Sequence, residues 1–139
     1  IRWTRQAAIR INGQQTRGMA QHALRVAFDV PLEEDLFGQG VAGMEAMVIR
    51  AAGNDQVKAM MRDAYQHKLC ERLPFDIAPA LPVVLYVNGA YWGVHHLRPR
   101  MDQSELARRY GVKPKDITIV RIWACCTREP RRTRPNSTG

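Results

Sequence analysis

The side chains best suited to chemistry in this sequence fall into four groups: Thr16 and Arg17 in a glycine-bounded loop at residues 13–18, His22 just after it, Arg62 beside Asp63, and the adjacent pair His95 and His96. A polar loop between two glycines can lay backbone N–H groups over a phosphate, and it can equally be the plain connection of a hairpin. Spacing alone favours the plain connection. By the same measure His22 reads as an exposed strand residue, and Arg62 as a helix-surface arginine that pairs with Asp63 or Glu71. His95 and His96 alternate along a strand and so point to opposite faces, which excludes a shared metal. Tyr91 and Trp92 have the character of a base-stacking platform, yet on a hairpin such rings serve packing. Met44, Met47, Met60 and Met61 read as core filling.

Composition narrows the classes further. Hydrophobic content of 45% and charged content of 24% are those of a globular domain, and 139 residues suit one such domain rather than two. No apolar run reaches the 18 or so residues that a membrane-spanning helix needs. The net charge of +8 invites a nucleic-acid partner, but half of it lies in residues 121–139, where five arginines face Glu129 alone. Elsewhere the signs are interspersed, which argues against a basic stripe tracking a phosphate backbone. Cys70, Cys125 and Cys126 have neither the number nor the spacing of a disulfide framework or a zinc site.

The elements that would position these residues follow from periodicity. Residues 7–12 and 22–28 alternate as two strands around the glycine loop, and a third strand is expected at about 46–50. Asn54 or Asp55 can cap a helix over residues 56–73, with Val57, Met61, Ala64, Tyr65 and Leu69 forming one apolar stripe. Pro74, Pro79 and Pro82 close that helix and lead into a strand at 83–87. Asn88-Gly89 then specifies a type I′ hairpin turn and a return strand at 90–97. Asp102 and Glu105 form a capping-box-like start for a short helix that ends at Tyr110, with Gly111 as its C-cap. The expected class is α+β, with a mainly antiparallel sheet and one long helix.

Three motifs, in this order, resemble the CotH kinase family, atypical protein kinases that include spore-coat proteins. Gly13-Gln14-Gln15-Thr16-Arg17-Gly18 and the following strand resemble the family's Gly-x-Ser-Ser/Thr-Arg loop and Lys-bearing strand. Ile49-Arg50-Ala51-Ala52-Gly53-Asn54-Asp55, leading to Met61-Arg62-Asp63, is similar to its Leu-Arg-Asn-x-Gly-Asn-Asp segment and Arg-Asp helix start. Leu85-Tyr86-Val87-Asn88-Gly89-Ala90-Tyr91-Trp92-Gly93-Val94 resembles its Asn-Gly-x-Tyr-x-Gly hairpin. The resemblance implies a protein-kinase small lobe over residues 1–120 whose Gly13, Thr16, Arg17, His22 and Arg62 meet the nucleotide, with ATP and Mg bound in the intact parent only. It also implies a protein Ser/Thr substrate or coat and surface partners, and a spore-coat or extracellular setting.

His22 stands where the family usually has Lys, and Pro99 where it usually has Glu, so phosphate and metal handling are both affected. Residues 121–139 depart from the family's continuation and are rich in Arg, Pro and Thr. The expectation is an unstructured, out-of-frame or foreign tail replacing the half that carries the catalytic acids, so that this chain alone is inactive. Two other classes stay open: a non-catalytic structural module of the same family, and a small basic nucleic-acid-binding domain.

Overall fold

Five strands and two eight-residue helices follow one another in the computed structural model, which describes residues 4–38 and 42–120. The strands are β1 (Ala7–Asn12), β2 (Ala23–Leu32), β3 (Met44–Arg50), β4 (Leu81–Val87) and β5 (Ala90–Pro99); α1 (Arg62–Leu69) lies between β3 and β4, and α2 (Gln103–Tyr110) follows β5. The sheet order is β1-β2-β3-β5-β4, and every neighbouring pair is antiparallel. The α+β class expected from periodicity is therefore the observed one.

The core sits on the central strands. Val26 pairs with Met47 and Leu32 with Met44 across the β2–β3 ladder, and all four are buried. Phe28, Leu36, Phe37, Ile49 and Leu97 close around them. Burying β-branched and long apolar side chains on one pleated surface is what makes the alternating segments persist as strands. At the far hairpin Asn88 and Gly89 take φ of +50° and +81°, the backbone that the Asn-Gly pair tolerates and most residues resist.

Two expectations fail here, for related reasons. The helix expected over residues 56–73 is confined to Arg62–Leu69. Residues 53–55 instead form a 3₁₀ turn, Met60 adopts a φ of +59°, and the Asp55 carboxylate accepts from the N–H groups of Ala59 and Arg62 at 3.4 and 3.2 Å. Asp55 thus spends its capping capacity on a compact turn and delays the helix. The apolar stripe is also turned outward: Met61, Tyr65 and Leu69 are 58%, 61% and 65% exposed. Leu36 and Phe37 already cover the sheet, and α1 is tied down through Asp63 instead. Met61 accordingly is not core filling, whereas Met44 and Met47 are. The unstructured tail expected at residues 121–139 lies outside the described residues.

Candidate phosphate site

Asp63, the second residue of α1, gathers the charge of this molecule. Arg50 at the end of β3 places Nε 3.1 Å from Asp63 Oδ2, and Arg98 of β5 places Nη1 2.9 Å from the same oxygen. The β3–β5 ladder makes this possible, since it sets Val48 opposite Arg98 and Arg50 opposite His96. His67, one turn along α1, has Nε2 3.7 Å from Asp63 Oδ1. Two guanidinium groups therefore share one carboxylate, and the cluster carries an excess of positive charge.

Burial sharpens that excess. The Arg98 side chain is only 6% exposed, and its Nε has no hydrogen-bond partner among the described residues. Asp63 Oδ2 likewise has close charge contacts but no well-directed hydrogen bond. Burial pushes the Arg98 guanidinium below its usual range, Asp63 opposes that shift, and Arg50 adds to it. Burial, followed by the Arg98 charge, holds the imidazoles of His67 and His96 below the ordinary histidine range, against the pull of Asp63. A buried fork of N–H donors with spare capacity suits an anionic oxygen, because charge-assisted bonds to Arg are strong and directional.

The loop residues singled out in the sequence meet this region only in part. The tight turn places Thr16 against Gly13, whose φ is +110° and where an added Cβ would collide with the Thr16 hydroxyl. Thr16 also faces Gly53, in the turn that leads to Asp55 and α1. Arg62 does not pair with Asp63 or Glu71; its Nε lies 3.2 Å from Asp55 Oδ1, and the side chain is 60% exposed. Arg17 is exposed. His22 is half-buried, with its ring 6.4 Å from that of Trp92 and its Nδ1 unpartnered. Sequence reading missed Arg50, Arg98 and Asp63 as one cluster, because it took Asp63 as a local partner for Arg62. The available signal was the pair of strand arginines, each on a strand expected to flank the helix.

A cavity of about 650 Å³ opens between β2, β3 and α2, lined among others by Arg25, Ala27, Ala46, Arg100 and Arg108. Its edge is fixed by the Arg100 N–H, which donates to the Ala46 carbonyl at 3.2 Å, two residues along the chain from Arg98. Among the described residues no three His, Cys, Asp or Glu side chains converge as metal ligands. The cluster offers guanidinium donors and a single carboxylate, not the several oxygen ligands that Mg takes.

A family model described as CotH kinase protein matches residues 9–136, most of the sequence. The chain belongs to the CotH kinase protein family. The match runs past the boundary that composition suggests at residue 120. No curated protein and no solved structure matches the chain. The residues that carry the CotH resemblance, in the glycine loop, the turn at 53–55 and the Asn-Gly hairpin, are the ones brought around α1 and β5.

Proposed function

We propose that this CotH-family chain binds the phosphates of ATP, as the nucleotide-binding part of an atypical protein kinase. The observation that carries the reading is the shared ion pair of Arg50 and Arg98 with Asp63. Protein kinases depend on a cation of the third strand paired with an acid of the following helix to place the phosphates. Here the helix also follows the third strand, with α1 inserted between β3 and β4 and the sheet order β3-β5-β4, which supports the reading. Arg50, whose side chain is 44% exposed, would meet a phosphate with the buried Arg98 charge behind it, and Arg17 and Arg62 add charge from the loop and the helix start. The cavity is large enough for a nucleoside. Arg100 on its edge lies two residues along the chain from Arg98. Phosphoryl transfer to a protein hydroxyl rests on positioning and charge neutralisation, and belongs to a longer parent that adds metal-holding carboxylates.

Isothermal titration tests this directly. Affinity should fall from ATP through ADP to AMP, with adenosine weakest, and should weaken with salt. Equal binding of ATP and adenosine, or none of either, contradicts it. A second reading, a structural member of the family without turnover, is favoured by His22 and Pro99 standing where the family usually has Lys and Glu. It predicts no phosphate transfer even in an intact parent that carries these two residues.

A further inference from the structure

The 13–18 loop has little to hold it from within. Its 3₁₀ turn buries no residue, and two long contacts close it, from the Arg17 N–H to the Gln14 carbonyl and from the Met19 N–H to the Thr16 carbonyl, both at 3.3 Å. Its ends are better fixed. On the entry side Thr16 is wedged between Gly13 and Gly53. On the exit side, three contacts from distant parts of the chain converge on Gln21 and His22.

Gln56 supplies the first. Its Nε2 donates to the Gln21 carbonyl at 2.7 Å and its Oε1 accepts from the Gln21 N–H at 3.4 Å, so one side-chain amide stands in for a neighbouring strand. Gln21 supplies the second, donating from Nε2 to the Trp92 carbonyl at 3.2 Å. That approach requires Gly93, whose φ is +92° and where an added Cβ would collide with the Gln21 amide. His95 supplies the third. It is wholly buried, with Nε2 3.3 Å from the His22 carbonyl and Nδ1 3.3 Å from the Gly93 carbonyl.

We infer that Gln56 and His95 are positioning residues for the glycine loop: they clamp its exit to the turn after β3 and to the β4–β5 hairpin, and so set where the loop stands over a bound phosphate chain. The inference rests on the phosphate reading above. It also gives the adjacent histidines separate duties, His95 on the loop and His96 beside Arg98. Both residues act on the backbone at the loop's exit, so the effect on ligand is transmitted through loop geometry, as fixed supports do for other binding loops.

The test uses Gln56→Glu and Gln56→Ala in the full chain, because a variant at the buried His95 risks the fold. Gln56→Glu keeps size and acceptor but loses the donor to the Gln21 carbonyl. Two readouts are taken, amide hydrogen exchange of the chain and ATP titration. Exchange at the amides of Arg17 and Met19 should quicken about three- to tenfold in both variants, the loss expected for one hydrogen bond, with Val48 and Leu97 unchanged. ATP affinity should fall by a similar factor while inorganic phosphate, too small to reach the loop, binds as before. Unaltered exchange at Arg17 and Met19 overturns the clamp. Faster exchange with unaltered ATP affinity overturns its role in binding. Failure of the unaltered chain to bind ATP sinks the phosphate reading instead, and the exchange data still judge the clamp.

Discussion

The two helices are each anchored by one acid between two arginines, yet the two anchors differ in what they leave over. In α2, Glu105 is 5% exposed and takes Arg108 at 2.6 and 3.1 Å and Arg109 at 2.8 Å, both from the next turn of its own helix. Each arginine then continues to a carbonyl, Arg108 to Ala42 and Arg109 to Ile77. The cluster closes on itself and staples loops to the helix. In α1, Asp63 takes its arginines from two strands, and Arg98 keeps a buried, unpartnered Nε. A closed cluster holds a fold together; an open one can accept a ligand.

That contrast can be broken most forcefully at Glu105. Glu105→Ala takes the shared carboxylate from two mostly buried guanidinium groups, of which Arg109 keeps Asp76 at 3.7 Å, and should cost about 3–5 kcal/mol of stability, read from urea unfolding. A loss below about 1 kcal/mol would mean the α2 cluster is not the staple described. Asp63→Ala leaves the buried Arg98 guanidinium without its carboxylate while Arg50 can turn to water, and should cost about 3 kcal/mol, the low end for breaking a buried pair. If Asp63→Ala proves the more damaging of the two, the open cluster is the main structural anchor and its role as a binding site is weakened.

Acidity gives the smallest effect and sharpens the comparison. His67 and His96 stand beside the α1 cluster with pKa values lowered by burial and by Arg98. The folded state therefore favours their neutral forms. Stability from this source is present above the ordinary histidine value near 6.5, and is lost as pH falls through that value toward the folded one. Urea midpoints should drop between pH 7 and pH 5, and His96→Gln should flatten the profile. A profile unchanged by that substitution would place the acid sensitivity elsewhere.

The same contrast explains what could be read from the sequence. For α2 every signal is local: Asp102 Oδ1 accepts the Glu105 N–H at 3.2 Å, and Gly111 takes the left-handed C-cap at φ +65°. The Asn88-Gly89 turn and the alternation of β2 are local in the same sense, and they stand where they were expected. α1 depends on contacts distant in sequence. Met61, Tyr65 and Leu69 stay outside the core because Leu36 and Phe37 pack against it, which periodicity does not encode. The site shows the same limit, since Arg50, Asp63 and Arg98 meet only once the β3–β5 register is set.

The central claim is that the open cluster, and not the closed one, meets phosphate. Calorimetric titration of ATP into the unaltered chain, Arg98→Lys and Arg109→Met tests it in one series, since Arg109 belongs to the closed cluster and does not line the cavity. Lysine keeps the charge but loses the planar fork, so Arg98→Lys should weaken binding about tenfold, while Arg109→Met should stay within about twofold of the unaltered chain, the size of effect expected when no direct contact is lost. Full affinity in Arg98→Lys, or an equal loss in Arg109→Met, would contradict the account.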